Sequence, residues 1–413
     1  MKNIGSTTQL VHQDRLVNPQ QDGAVHSPIN TGVLYHFADA QGIVDAFQGK
    51  KVAHVYGRSS SPTTSALQQV LTQQHNALGC VTFSTGMAAI SSTLLALLKA
   101  GDHIVVSQFL FGNTRSFFHQ LSGLGIAVDF VDVTNVVAVK NSIQPNTRLV
   151  FCESLANPLT QVPNLDELGQ LCQAHHIVFA VDTTMTPHVI CDVARFHISL
   201  VFTSLTKYIS GHGQAMGGAV LDMGVYDWTY FPHIDALYQV ADTRMWGLTQ
   251  IRKKGLRDIG ATLDPTSASQ VMLGQETLAL RYAKACENAQ AIARFLSSHV
   301  GITKVYHPSL DSHPQHALVR SQFETTGAIL AFDLANGVAP VAFINALNTI
   351  LCATHLGDTR TLALPVAQTI FFEFDQAERD AMGITDACVR LSVGIEDTQD
   401  LLDDLAQALD IFQ

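Results

Sequence analysis

The sequence has little charge and lacks the patterns that place a protein on nucleic acid or in a membrane. Charged residues make up only 14% of its 413 residues, and there is no basic run of five or more. With 24 Lys and Arg against 35 Asp and Glu, the net charge is −11. That balance argues against a nucleic-acid or anionic-membrane partner, which would need a basic surface. No apolar run reaches the roughly 18 to 20 residues that a transmembrane helix requires.

Disulfide, zinc and secretion patterns are also missing. The seven cysteines include no CxxC pair and follow no regular spacing. Such a set is typical of reduced thiols in a cytosolic protein, and the histidines lack the spacing of a zinc site. Residues 1–30 are polar and lack the apolar core of a signal peptide. We therefore expect a cytoplasmic protein that binds no metal.

Short apolar runs alternate with helical patterns through the first two thirds of the chain. "HIVVS" (103–107), "RLVFCES" (148–154) and "IVFAVDTT" (177–184) are typical of buried strands, and helix-forming segments separate them. Continuous apolar strands joined by helices predict an α/β domain whose mainly parallel sheet is sandwiched by helices.

The same pattern suggests where the chain divides. Residues 1–55 resemble an irregular arm with glycine and proline breaks, and residues 56–265 form the predicted large domain. Residues 266–413 begin with a linking helix over 278–299 and continue as a smaller α+β domain.

Several polar residues follow predicted strands, where open parallel sheets collect their ligands. The segment 153–157, Asp182 and Lys207 come after three different strands. Because the carboxyl ends of parallel strands meet at one edge, these residues are expected to converge.

An anion site is predicted where "FSTGMAAI" (83–90) enters an apolar helix. The backbone N–H groups near Gly86 and the helix dipole attract negative charge. An ordinary helix cap by Ser84 or Thr85 explains this stretch equally well when it is taken alone. The hydroxyls of Ser204 and Thr206 would add donors for a phosphate.

Lys207 and Asp182 add an amine and an acid to this predicted anion site. Burial disfavours the charged form of a lysine, so a desolvated Lys207 supplies a free amine for Schiff-base formation. A solvated turn lysine fits poorly, because few charges surround it in the sequence. Asp182 is either a turn cap or the counter-charge of a cationic heterocycle. An anion site, an acid and an amine together describe the needs of pyridoxal 5′-phosphate.

Six motifs in chain order resemble the Cys/Met-metabolism family of pyridoxal-phosphate enzymes. This family includes cystathionine γ-synthase, the cystathionine lyases, methionine γ-lyase and the O-acylhomoserine sulfhydrylases. The motifs are "YGRSSSPT" (56–63), "STGMAAI" (84–90), "ESLANP" (153–158), "VDTTMTP" (181–187), "SLTKYISGHG" (204–213) and "VRLSVGIED" (389–397).

The resemblance implies the fold-type I architecture and a role for each matching residue at the cofactor. Lys207 would form the Schiff base and carry protons, and Asp182 would keep the ring nitrogen protonated. Gly86 and Met87 would donate backbone N–H groups to the phosphate, with help from Ser204 and Thr206, and Asn157 would contact the ring hydroxyl.

The resemblance also implies that subunits share their sites. Tyr56 and Arg58 match residues that reach the cofactor phosphate of the neighbouring subunit, where Tyr56 would also meet the substrate, and the arm over 1–55 would contact the partner. A homotetramer built as a dimer of catalytic dimers is expected. Arg390 matches the arginine that binds the substrate carboxylate, a bidentate role suited to guanidinium.

Departures from the family pattern bear on the reaction. Phe111 stands where most members have the tyrosine that stacks on the ring, so stacking survives without the phenol. Asn113 replaces the reactive cysteine of methionine γ-lyases, and Arg360 replaces the glutamate of cystathionine γ-synthases and γ-lyases. Thr183 and Ile370 replace the usual asparagine and histidine.

"LGDTRTL" (356–362) and "GQETLALR" (274–281) resemble the O-acylhomoserine sulfhydrylases. We therefore predict γ-replacement on an O-acyl-L-homoserine by sulfide or a small thiol. The alternative is a cystathionine or methionine lyase that eliminates to a ketoacid and ammonia. A cofactor-binding regulator without turnover is the alternative from another class.

Overall fold

The computed structural model describes residues 5–13, 23–335 and 337–411. Its strands are β1 Gly79–Phe83, β2 His103–Ser107, β3 Ala127–Val131, β4 Thr147–Glu153, β5 Val178–Asp182, β6 Leu200–Ser204, β7 Gly218–Asp222, β8 Ile302–Tyr306, β9 Ile329–Leu334, β10 Leu351–Cys352, β11 Leu362–Pro365 and β12 Cys388–Ser392.

Fourteen α-helices accompany these strands in the described part of the chain. They are α1 Ser6–Val11, α2 Ala40–Phe47, α3 Pro62–Gln74, α4 Gly86–Leu97, α5 Gly112–Gly123, α6 Val136–Ser142, α7 Leu165–Ala174, α8 Trp246–Gln250, α9 Pro265–Gln275, α10 Leu278–Ser297, α11 His316–Gln322, α12 Pro340–Asn345, α13 Gln376–Met382 and α14 Thr398–Asp410. A π-helical turn over Ile251–Asp258 continues α8.

The large sheet has seven strands in the order β1-β7-β6-β5-β4-β2-β3. Adjacent strands of this sheet run parallel, except that β7 runs antiparallel to both β1 and β6. Successive strand residues face opposite sides of the sheet, so Phe151 and Cys152 belong to separate apolar clusters. The predicted sheet with apolar residues buried on both faces is confirmed.

The small sheet has five strands in the order β10-β11-β12-β9-β8, and α10 leads into it as expected. Its strands pair antiparallel except for β10 and β11. Arg390 lies on the central strand β12, opposite Ala331 of β9 and Leu364 of β11. This position fixes its backbone firmly.

The N-terminal segment is not irregular throughout, because α1 and α2 lie within it. The carboxylate of Asp39 caps α2 by accepting a hydrogen bond from the Gly42 N–H at 2.7 Å. No residue of α2 is buried. Residues 1–4 and 14–22 of the expected arm lie outside the described residues, and the division into an arm and two domains stays a prediction.

Within the described ranges, no helix combines the length and the apolar character needed to cross a membrane.

Close backbone packing at Gly218 holds the start of α4 against the sheet. Gly218 pairs with Phe83 of β1 and with Ser204 of β6. A Cβ at this position would lie 2.1 Å from the Thr85 carbonyl oxygen and 2.7 Å from the Gly86 Cα. Only glycine lets these three segments approach so closely.

We expect Gly218→Ala to lower the midpoint of thermal unfolding by several degrees, since backbone atoms would have to separate. Gly217→Ala is the matched control, because its Cβ would meet only side-chain atoms at 3.2–3.3 Å. Calorimetry of the two variants provides the measurement, and equal midpoints would contradict the packing argument.

Candidate active site

A cavity of about 420 Å³ opens where the carboxyl ends of β4, β5 and β6 meet the small domain. Most of the predicted site residues line it: Gly86, Met87, Phe111, Asn157, Asp182, Ser204, Thr206, Lys207 and Arg390. The volume falls within the range of small-molecule sites. The sheet topology therefore brings together residues that are more than 300 positions apart in the chain.

Two carboxylates stand side by side on one wall of the cavity. Glu153 and Asp182 are direct partners in the register of β4 and β5. Burial raises the pKa of Glu153 to about 8, helped by the neighbouring Asp182 charge. Burial likewise raises the pKa of Asp182, although the Thr184 N–H donates to its carboxylate at 2.8 Å. This acid pair favours a cation in contact with it.

Lys207 lines the cavity and is the candidate nucleophile. It lies three residues beyond β6, and its Nζ is 3.2 Å from Nδ1 of His355. Burial, and then the charge of Arg390, lower the pKa of Lys207 to about 8. The amine therefore loses its proton far more readily than a solvated lysine, as predicted from the sequence.

The N-terminus of α4 forms the anion-binding end. Thr85 caps the helix by accepting from the Ala88 N–H at 3.0 Å, so the cap that was weighed against an anion site is real. The N–H groups of Gly86 and Met87 nevertheless have no hydrogen-bond partner in the part of the chain that the structure describes. A Cβ at Gly86 would lie 3.1 Å from the Ser204 hydroxyl oxygen. The cap therefore leaves N–H groups at the start of α4 that could bind an anion.

The hydroxyl of Thr206 is less available than expected. It donates to the Gly217 carbonyl at 3.2 Å and accepts from the Gly217 N–H at 3.0 Å. Its predicted contact with a phosphate would therefore compete with these bonds and stays a prediction.

Arg390 is the second cation of the cavity and is only 1% exposed. Its guanidinium donates to the carbonyl oxygens of Thr354 at 3.2 Å and His355 at 3.0 Å, and to Asn157 Oδ1 at 3.4 Å. Its Nε is buried without a partner among the described residues. Burial lowers its pKa to about 10, so it stays charged at neutral pH and suits a carboxylate.

Glu153 also positions two other predicted residues. One carboxylate oxygen accepts from the Phe111 N–H at 2.8 Å and the other from the Asn157 N–H at 3.2 Å. Phe111 precedes α5 and lines the cavity with Asn113 and Ile370. No tyrosine is among the described residues that line it.

Two of the departures lie away from the cavity. Arg360 forms a bidentate pair with Asp358, with distances of 2.7 and 3.0 Å. Thr183 is buried and donates to the Phe202 carbonyl at 3.4 Å.

Tyr56 and Arg58 do not join the cavity of their own chain. The Arg58 guanidinium lies 5.7 Å from the Tyr56 ring and donates to the Arg257 carbonyl. Tyr56 is exposed on the surface. Their predicted role in a neighbouring subunit remains consistent with this location.

Sequence reasoning assigned no role to Glu153 or His355. Glu153 lies inside the quoted motif "ESLANP", and its position directly after a strand was a usable signal. His355 directly precedes the quoted motif "LGDTRTL", but no spacing connects it to Lys207.

The donor set fits pyridoxal phosphate. The cavity offers unpaired N–H groups and a serine hydroxyl for an anion, a pair of acids for a cationic ring nitrogen, and an amine of lowered pKa for an aldehyde. An aromatic ring at Phe111 is available for stacking. The fold and the site together define a fold-type I pyridoxal-phosphate enzyme.

The family follows from comparison with known proteins. The model of the Cys/Met metabolism PLP-dependent enzymes matches residues 7–410, and the chain belongs to this family. An L-methionine gamma-lyase of Fusobacterium nucleatum subsp. polymorphum is 34% identical over 99% of both chains. An O-acetyl-L-homoserine sulfhydrylase of Corynebacterium glutamicum is 32% identical over 97% of this chain and 96% of its own.

Solved structures agree with the fold. A Campylobacter jejuni protein provisionally named O-acetylhomoserine (thiol)-lyase superposes with a TM-score of 0.92 at 28% identity, covering 98% of this chain and 100% of its own. It carries a pyridoxyl-lysine phosphate. A cystathionine gamma synthase of Xanthomonas oryzae pv. oryzae gives a TM-score of 0.87 at 30% identity, covering 99% of this chain and 98% of its own. As a member of the Cys/Met metabolism family, our protein is a pyridoxal-phosphate-dependent enzyme.

We expect Lys207→Ala to abolish covalent attachment of the cofactor, because no amine would remain at that place in the cavity. Borohydride reduction followed by peptide mass spectrometry locates the pyridoxyl group on the native protein. Lys140→Ala, which changes an exposed lysine, is the control and should retain the label. A pyridoxyl group on another lysine of the native protein would contradict the assignment.

Proposed function

We propose that the protein catalyses γ-replacement on an O-acyl-L-homoserine, with sulfide or a small thiol as the incoming group. The main support for this proposal is that Phe111 has no phenol hydroxyl that could act as a general acid. A carboxylate is a weak base with a pKa of about 4, whereas a thiol has a pKa of about 8.5. An acyloxy group therefore leaves without a proton, but a thiolate gains much more from a general acid. A cavity wall with phenylalanine and no tyrosine suits the acyloxy substrate.

Bound pyridoxal phosphate would supply an aldehyde for the substrate amine and a ring that accepts electrons from Cα. Lys207 would take the Cα proton at Nζ, release it to the cofactor so that the amine is free again, and then take a proton from Cβ. Both protons would return to Cβ and Cα after sulfur has bonded to the γ-carbon. Asp182 would hold the proton of the ring nitrogen. Arg390 would bind the substrate carboxylate and so fix Cα near Lys207, since both residues line the same cavity. The γ-carbon loses a carboxylate and bonds to sulfur.

Elimination is the second candidate, because several relatives are named L-methionine gamma-lyase and one is named canavanine gamma-lyase. Both reactions break the bond between the γ-carbon and the leaving group, and both require the enzyme to bind the amino and carboxylate groups of the substrate in the same way. They differ in whether a sulfur nucleophile enters before the product leaves. Asn113 at the cavity, in place of a cysteine, supports replacement.

A substrate panel tests this proposal. We expect homocysteine formation from O-acetyl- or O-succinyl-homoserine plus sulfide to exceed ketoacid release from methionine and cystathionine. Faster ketoacid release from the thioethers than homocysteine formation would overturn the γ-replacement proposal in favour of the lyase.

Phe111→Tyr should raise ketoacid release from methionine at least about tenfold, because a phenol can protonate the departing thiolate. Turnover of the O-acyl substrates should change much less. Phe117→Tyr is the control, because Phe117 lies on α5 and does not line the cavity. A uniform change for both substrate classes would argue against the leaving-group explanation.

We also propose that the active unit is a dimer within a homotetramer. Tyr56 and Arg58 do not line their own cavity, and large apolar side chains of the N-terminal segment are exposed. Leu34 is 78% exposed and Phe47 of α2 is 70% exposed. Covering such side chains with a second copy would stabilise the protein by the hydrophobic effect.

Mixing Arg58→Ala with Lys207→Ala should therefore restore activity. Random pairing makes half of the dimers hybrid, each with one intact site, so about one quarter of native activity is expected. Lys207→Ala mixed with Asp182→Ala is the control and should stay inactive, since both changes affect the same chain's contribution. Hybrid dimers seen by native mass spectrometry without activity would contradict site sharing.

A further inference from the structure

Among the described residues, His355 is the side chain that hydrogen-bonds with the Lys207 amine. Its Nδ1 lies 3.2 Å from Nζ, and its Nε2 is buried without a partner among the described residues. The imidazole therefore has one nitrogen hydrogen-bonded to Lys207 and the other without a hydrogen-bond partner in the described part of the chain.

Backbone packing holds His355 in this place. Gly357, two residues further on, adopts φ of +74°, and a Cβ there would lie 2.5 Å from the Tyr208 nitrogen and 2.9 Å from the Lys207 carbonyl carbon. Its N–H donates to the Ser392 hydroxyl at 2.9 Å. Because the loop presses directly on the backbone of Lys207, the contact between the two side chains follows from the fold.

The same loop also holds the other cation of the cavity. The carbonyl oxygens of Thr354 and His355 accept hydrogen bonds from Arg390. His355 thus contacts the substrate-binding arginine through its backbone and the nucleophile through its ring.

The charges around His355 define its protonation. Burial lowers the pKa of His355 to about 4, with further lowering by Lys207, Arg390 and Arg360 and an opposing effect of Asp358. The ring is therefore neutral at physiological pH. With its proton on Nε2, Nδ1 presents a lone pair to the amine.

We propose that His355 is a positioning residue for Lys207, which accepts a hydrogen bond from the free amine, aims it and sets its affinity for a proton. An ammonium group donates to a neutral imidazole nitrogen more strongly than an amine does. The contact consequently stabilises Lys207 after it has taken a proton from substrate. This inference rests on the proposed role of Lys207.

The test measures cofactor capture by the full-length chain after its cofactor has been removed. Only the unprotonated amine attacks an aldehyde, so the rate of Schiff-base formation with added pyridoxal phosphate rises with pH through the pKa of Lys207. We expect a midpoint near pH 8 for the native chain. Absorbance during rapid mixing follows the reaction without any turnover.

His355→Leu should move this midpoint down by roughly one pKa unit, because the protonated amine loses a charge-assisted hydrogen bond. His355→Asn keeps an acceptor oxygen near the position of Nδ1 and should keep the midpoint close to the native value. His355→Ala replaces the leucine variant if that protein does not accumulate.

A midpoint that stays unchanged without the imidazole overturns the inference, and so does an asparagine variant that shifts as far as the leucine variant. Melting temperatures of the variants show whether a change in packing accounts for any difference. Lys207→Ala separates this failure from that of the proposed function. If that variant still captures the cofactor, the assignment of Lys207 itself fails.

Discussion

Four ionisable groups share one cavity that is largely shielded from water, and this shielding determines their chemistry. Burial raises the pKa values of Glu153 and Asp182 and lowers those of Lys207 and Arg390. Each group is thereby shifted towards its neutral form, and each gains from a ligand that brings the opposite charge. Pyridoxal phosphate, which has a cationic ring, an anionic phosphate and an aldehyde, matches these groups. The affinity for cofactor and the reactivity of the amine have one physical origin.

Much of this site could be predicted because it lies at strand ends. Apolar runs identified β4, β5 and the approach to Lys207, and the geometry of parallel sheets then required their ends to converge. The anion site was ambiguous in the sequence, since a helix cap and a phosphate site use the same residue types. The structure shows that Thr85 serves as the cap while the first N–H groups of α4 remain free.

Other features depend on contacts between distant segments, which local patterns do not encode. His355 meets Lys207 only because the loop after β10 packs on the backbone beyond β6. The antiparallel strand β7 follows a glycine-rich stretch whose sequence is typical of a loop. Helix α2 has no buried residue, so burial does not impose a regular apolar pattern on its sequence. The anion site, the acid and the amine at the strand ends, together with the family resemblance, indicated the cofactor, whereas the proposed reaction rests on small changes in the cavity wall.

Arg390 belongs to the small sheet, yet it donates to Asn157 of the large domain. The neighbouring loop carries His355 to the nucleophile. Any displacement of the small domain therefore changes the distance between Arg390, the proposed anchor for a substrate carboxylate, and Lys207, the proposed base. The distance between the amino and carboxylate groups is the same in every α-amino acid. The proposed mode of binding therefore requires the two domains to hold Lys207 and Arg390 at a matching distance. In the proposed mode of binding, this geometry disfavours molecules whose acid and amino groups are further apart, such as β-amino acids.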